Sequence, residues 1–198
     1  IIYVIKDKNI IALIGVNDII RNNAKEVIEK LNKNNIETIM LTGDNEEVAN
    51  KIGEELKIQK IFSNILPVQK ADVITNLKKK NKIVMMCGDG INDSPALKKS
   101  DMGVSFESAT DIAIDSSDVI LMKNDLSSIL KLINISKETV RIIKQNLFWA
   151  FFYNILMIPI AAGVLKPMGI SLNPILASIA MTLSSFIVIL NSLRLRKK

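Results

Sequence analysis

The sequence predicts an α/β domain built on a parallel sheet, followed by a two-helix transmembrane hairpin. Three observations carry that expectation. Short apolar runs rich in Ile, Val and Met alternate with amphipathic stretches through about residue 125. Two long uncharged apolar stretches follow, at residues 147–165 and 167–193. The formal charge of +6 is unevenly placed: all 20 acidic residues lie at or before Glu138, whereas every charge after Lys144 is basic (Lys166, Arg194, Arg196, Lys197 and Lys198). Cations bordering apolar stretches suit a membrane surface and argue against a nucleic-acid groove.

The elements follow in order. Residues 1–5 and 10–16 read as two strands around a Lys6-Asp7-Lys8-Asn9 turn. A helix is expected at 21–34, a buried strand at 36–41, and helices at 46–57 and from Pro67 to about Lys80. A strand at 82–87 ends in Gly88-Asp89-Gly90, then a short helix at 94–99, a strand at 102–106, a helical turn at 110–114 and a strand at 119–122. Met85, Met86 and Met122 fall in these strands and read as core filler. A last helix starts near Leu126 and continues towards the membrane. This divides the chain into a closing hairpin (1–16), an α/β region (17–125) and a linker helix with two membrane helices (126–198).

Residues 147–165 span about 28 Å as a helix, close to the ~30 Å of a bilayer's hydrocarbon. Lys166-Pro167-Met168-Gly169 breaks the pattern, and Asn173-Pro174 suits a new helix start. Lys131, Lys137, Arg141 and Lys144 precede the hairpin and the Arg194 to Lys198 cluster follows it, which places both ends in the cytoplasm. Trp149 and Tyr153 suit an interface or packing, and Pro159 suits a kink. Two readings of the polar residues at membrane depth stay open. Tyr153, Asn154, Thr182, Ser184 and Ser185 can bond helix to helix. Alternatively, Asn154, the Met181 thioether and a serine hydroxyl line an ion path, where soft sulfur favours Cu(I).

The chain has no His and one Cys, which excludes His-based catalytic arrangements, His-ligated metals, disulfide frameworks and redox Cys pairs. Chemistry is therefore expected where parallel strands end. Leu41 precedes Thr42-Gly43-Asp44-Asn45, and Cys87 precedes Gly88-Asp89-Gly90-Ile91-Asn92-Asp93. The glycines let backbone turn and approach a ligand closely. The Thr42 hydroxyl and nearby N–H groups suit phosphate oxygens. Asp89 and Asp93 offer hard oxygens for Mg²⁺, and Lys70 offers charge to a phosphate.

Thr42 to Asn45, Pro67-Val68-Gln69-Lys70 and GDGINDSPAL from Gly88 resemble motifs of the phosphorylation domain of P-type ATPases. The resemblance covers nearly the whole chain and implies a partial haloacid-dehalogenase-like, Rossmann-type fold. Asn146, Tyr153-Asn154 and Met181-x-x-Ser184-Ser185 are similar to the last two membrane helices of copper-translocating pumps, whereas zinc pumps typically carry charges there. The resemblance implies ATP and Mg²⁺ as cofactors and Cu⁺ as cargo. It assigns Thr42, Gly43, Asp44, Lys70 and Asn92 to phosphoryl chemistry, Asp89 and Asp93 to Mg²⁺, and Tyr153, Asn154, Met181 and Ser185 to copper. The implied partners are an N-terminal part of the same pump, the lipid bilayer and a copper chaperone; the implied location is a prokaryotic plasma membrane.

Departures from the pattern are equally informative. The DKTGT nucleophile motif and the CPC motif are absent, and the only Asp-Lys pair, Asp7-Lys8, sits in an expected turn. The chain is therefore expected to be the C-terminal portion of a longer pump, or a truncated product, inactive alone. The alternatives are a membrane-tethered phosphatase, a non-catalytic regulatory fragment, or part of a pump for another transition metal.

Overall fold

The computed structural model describes residues 2–15, 19–164, 166–168 and 174–197. They fall into two compact units, Ile1–Leu130 and Lys131–Lys198.

In the first unit, β1 (Ile2–Lys6) and β2 (Asn9–Ile14) form an antiparallel hairpin. Its turn residues Asp7 and Lys8 both take positive φ, of 49° and 67°, as a two-residue turn matched to strand twist requires. Helix α1 (Ala24–Lys33) buries Ala24 and Val27, and starts later than expected. β3 is only Ile39–Leu41. The amide of Ile36 is spent on Leu31 O at 3.1 Å, and that of Thr38 on the Gln59 side chain at 3.3 Å, so neither joins the ladder.

Helix α2 (Glu46–Leu56) is capped by Asn45, whose Oδ1 accepts the Val48 N–H at 2.9 Å, with Glu46 and Glu47 favourably placed in the first turn. It ends at Lys57 in the left-handed region. β4 (Lys60–Phe62), missing from the sequence expectation, is too short to show a period. Pro67 opens α3 (Pro67–Lys79), where its missing N–H costs nothing. β5 is Met85–Cys87 rather than 82–87, because the Asp101 carboxylate takes the Val84 N–H at 2.9 Å and leaves Ile83 93% exposed. α4 (Ser94–Lys99), β6 (Met102–Phe106), α5 (Asp111–Asp115) and β7 (Val119–Leu121) complete the unit.

The expected single parallel sheet is two. β3 pairs with β4, and β5, β6 and β7 form a second parallel sheet in that order. Among the described residues nothing pairs β3 with β5, so each keeps an open edge. The core joins α3, β5, α4 and α5 through Ile74, Met86, Ala96, Leu97 and Ala113. Of the three methionines expected as core filler only Met86 is buried; Met85 is 36% exposed and Met122, which falls just beyond β7, is 69% exposed. Among the described residues nothing covers either of them fully.

The second unit holds most of α6 (Ser127–Ala161) and α7 (Pro174–Leu193). Asp125 starts α6 by accepting the Ser127 N–H at 2.8 Å. Among the described residues no helix is long and apolar enough to cross a membrane. The uncharged end of α6, residues 147–161, spans only about 22 Å. Gly169 and Asn173, expected at the hairpin loop, lie outside the described residues.

Asp101 is one of the acid-sensitive joints of the unit. It accepts from Lys78 at 2.9 Å and from the Val84 amide, and the Lys78 hydrogen bond holds its carboxyl below the usual range. A carboxyl with a lowered folded pKa stabilises above its unfolded value of about 4 and loses that contribution as pH falls through the folded value. Asp101→Asn should therefore melt at lower temperature than wild type at pH 7, and the gap should close below about pH 4. Melting curves from pH 3 to 7 check this; a gap that stays constant would assign the effect to something other than ionisation.

Candidate functional site

Two loops at the strand ends make the site. In the first, Thr42 N–H bonds Phe62 O at 3.0 Å, which extends the β3–β4 pairing by one step. The Thr42 hydroxyl donates to Asp44 Oδ2 at 2.7 Å and accepts the Asp44 N–H at 3.1 Å. The hydroxyl expected to meet phosphate is thus committed to Asp44, which orients it. A Cβ on Gly43 would sit 3.6 Å from Ile65 O, an ordinary contact, so the chain itself does not demand glycine there.

The second loop is tighter. A Cβ on Gly88 would lie 2.6 Å from Asp93 Cβ, so glycine is what lets Asp93 fold beneath the loop. Gly90 N–H points at Asp93 Oδ2 at 3.4 Å, and Lys70 Nζ donates to Asp93 Oδ1 at 2.7 Å. Both side chains of that pair are only 14% exposed, so each charge is compensated by the other. Asp89 differs: its side chain is 60% exposed, with the Arg21 guanidinium 3.7 Å away. The Asp89 carbonyl, accepting Thr110 N–H at 3.0 Å, anchors the loop to the start of α5. Asn92 lies exposed in the 3₁₀ turn between the two aspartates.

Lys70 and Asp93 meet directly, whereas the Asp89 carboxylate, four positions earlier in the same loop, faces Arg21. Arg21 was missed. Its ring contact with Phe106 is 4.7 Å, and it donates to Asn124 Oδ1 at 2.5 Å. Its partners lie 68 to 103 positions away, so no local spacing marks it. Among the described residues no three His, Cys, Asp or Glu converge on one metal point. Asp89 and Asp93 fit Mg²⁺ by donor chemistry, since that ion commonly uses one or two carboxylates with phosphate and water. Burial pushes the Cys87 thiol up to about 11, although the residue keeps surface elsewhere, so it is a neutral thiol at pH 7 and a poor nucleophile or ligand.

In the second unit, among the described residues, no hydrogen bond between the two helices joins the expected copper residues. Met181 is 66% exposed, and Ser185 Oγ bonds back to Met181 O at 3.3 Å within its own helix. Thr182 does the same to Ser178 O at 2.9 Å. Tyr153 is half-buried and Asn154 exposed. Among the described residues the bonds between α6 and α7 lie elsewhere: Asn146 Nδ2 donates to Ser192 Oγ at 2.9 Å, and Asn191 Nδ2 donates to Asn146 Oδ1 at 2.8 Å. Two helices alone leave the remaining faces open.

These features define a class. A family profile for haloacid dehalogenase-like hydrolases matches residues 2–101, and the chain belongs to that family. Within it, the chain is similar to heavy-metal P-type ATPases. It is 44% identical over 196 residues to copper-transporting ATPase 1 of Rhizobium meliloti, covering 98% of this chain and 24% of that protein. It is 43% identical over 198 residues to a copper-exporting P-type ATPase of Legionella pneumophila, covering all of this chain and 27% of that one. Among solved structures, a zinc-transporting PIB-type ATPase superposes with a TM-score of 0.83 at 30% identity, over 98% of this chain and 31% of that one. The chain thus spans about a quarter of the curated relatives it matches.

Lys70→Ala should destabilise the chain by about 2–3 kcal/mol, because it strands the Asp93 carboxylate in a poorly hydrated place. Lys70→Ala with Asp93→Ala should recover part of that loss in urea unfolding. Simple additivity of the two would show that the pair is not coupled. Cys87 should resist iodoacetamide at pH 7 and react faster as pH approaches 11; rapid neutral-pH alkylation would show that the thiol is not held protonated.

Proposed function

We propose that the chain is the C-terminal part of an ATP-driven, Mg²⁺-dependent Cu⁺ export pump, held in a prokaryotic plasma membrane with its α/β unit and C-terminus cytoplasmic. The observation that carries this reading is the Lys70–Asp93 pair beneath the Gly88-Asp89-Gly90 loop, with the second carboxylate of Asp89 left exposed beside it. A fixed ammonium next to one anchored and one open carboxylate suits phosphoryl transfer, which is mostly positioning and charge neutralisation.

In this reading the phosphorylated aspartate comes from the preceding part of the pump, on a strand that fills the open edges of β3 and β5. Asp89 and Asp93 would hold Mg²⁺, whose charge offsets that of the phosphoryl oxygens. Lys70 fixes Asp93 and brings its own positive charge close to the phosphoryl position. Asp44 orients the Thr42 hydroxyl, while Gly43 keeps that loop's backbone open to a phosphate and Asn92 orders the facing loop. Lacking the nucleophile, the chain alone neither autophosphorylates nor transports.

Support for a membrane comes from the apolar side chains of α6 and α7. Phe151, Ile155, Ile158, Leu183 and Phe186 are all more than half exposed, and a surface of that kind calls for lipid or further helices. Tyr153, Asn154, Met181 and Ser185 would meet copper once those helices enclose them. The similarity to a zinc-transporting structure favours a second reading, a pump for another transition metal.

The complete pump, assembled from in-frame upstream sequence containing DKTGT and CPC, separates these readings. Asp89→Asn should cut ATP turnover about 10²–10³-fold. Met181→Ala and Asn154→Ala should abolish Cu⁺-stimulated turnover. A copper response left intact by both, with a zinc response lost, would overturn the copper assignment. Upstream sequence without either motif would favour a regulatory fragment.

A further inference from the structure

The start of α6 in the second unit carries a surface that the transport reading does not use. Lys137, Arg141 and Lys144 recur at helical spacing, within an arc of about 60° and along about 10 Å of the axis. With Phe148 and Trp149 they line one shallow recess of about 440 Å³. Asn146, which bonds to Ser192 and Asn191 of α7, lies about 180° around the helix from Lys137, while Gln145, which also lines the recess, accepts from Asn191 at 3.3 Å; α7 therefore borders one side of the recess and the row of cations lies away from it. Among the described residues the acidic side chain paired with this face is Glu138, 3.8 Å from an Arg141 that stays 70% exposed, and the described ion pairs bring no carboxylate to Lys137 or Lys144. Below the cations the aromatics form a cluster: Phe148 meets Trp149 edge-on at 5.5 Å and stacks on Phe152 at 5.8 Å.

We propose that this face of α6 binds the headgroups of anionic phospholipids. The occupant follows from charge and order. Three cations come first along the helix, then an amphipathic indole, then the apolar residues from Phe151 onward. That is the sequence of layers at a membrane surface, from phosphate to glycerol to acyl chain. The basic face attracts phosphate, and Phe148 and Trp149 receive the upper acyl chain. The proposal rests on the membrane reading above.

Trp149 is the sole tryptophan of the chain, so its fluorescence reports this site alone. The 198-residue chain is reconstituted into phosphatidylcholine vesicles containing equal fractions of either brominated phosphatidylglycerol or brominated phosphatidylcholine. Quenching should reveal a preference for the anionic lipid of about fivefold or more, the order that one cation near an anionic surface contributes. Lys137→Gln, Arg141→Gln and Lys144→Gln together should bring the preference to about one while leaving phosphatidylcholine quenching in place. In the unmutated chain, 0.5 M NaCl should shrink the preference, since exposed charges are screened. Equal quenching by both lipids, or a preference untouched by salt and by the triple substitution, would overturn the site and leave the membrane reading standing. No quenching by either lipid would overturn both.

Discussion

A lysine and an aspartate that each occupy a poorly hydrated position hold the site together. Lys70 comes from α3 and Asp93 from the turn before α4, and their contact at 2.7 Å gives each charge its counter-charge. Removing either leaves an uncompensated ion, which is why such pairs resist piecemeal change. The pair also fixes the approach of α3 to α4, whose apolar sides meet in the core through Ile74 and Leu97. Gly88 is part of the same constraint, because any side chain there would collide with Asp93. One ion pair thus determines the loop, the helix start and the packing beneath them.

The two carboxylates of that loop have different surroundings. Asp93 is anchored, while Asp89 is largely hydrated and faces Arg21 at 3.7 Å. Arg21 in turn reaches Asn124, and Asn23 donates to Asp125 at the end of the α/β unit. The beginning and end of that unit therefore close on one another around the site. The sheet lies in two pieces, and among the described residues β3 and β5 each keep an edge whose backbone groups pair with no strand.

In the second unit, hydrogen bonding and apolar exposure separate along the helices. Gln145, Asn146, Asn191 and Ser192 join α6 to α7 at one level, and beyond it large apolar side chains stay uncovered. Polar side chains deeper in the helices, Thr182 and Ser185, satisfy themselves on their own backbone. Such back-bonding leaves a hydroxyl oxygen able to accept or coordinate later.

Much of this was legible in the residues. The alternation of short apolar runs with amphipathic stretches determined the α/β class, since burial of a parallel strand and of one helical face leaves those periods in any sequence. Glycine and aspartate at the strand ends, with a lysine on the intervening helix, pointed to the candidate site, because a tight turn and a charged ligand restrict which residue types can stand there. Tertiary structure alone decided the rest. Whether Asp89 or Asp93 is the anchored carboxylate depends on Lys70 arriving from another helix, and Arg21 joins the site across 68 positions. β4 and the trimmed ends of β3 and β5 depend on which amides a side chain claims first, as Gln59 does for Thr38 and Asp101 does for Val84. Local pattern records what each segment can bury; only the folded chain settles which distant groups compete for the same hydrogen bond or the same charge.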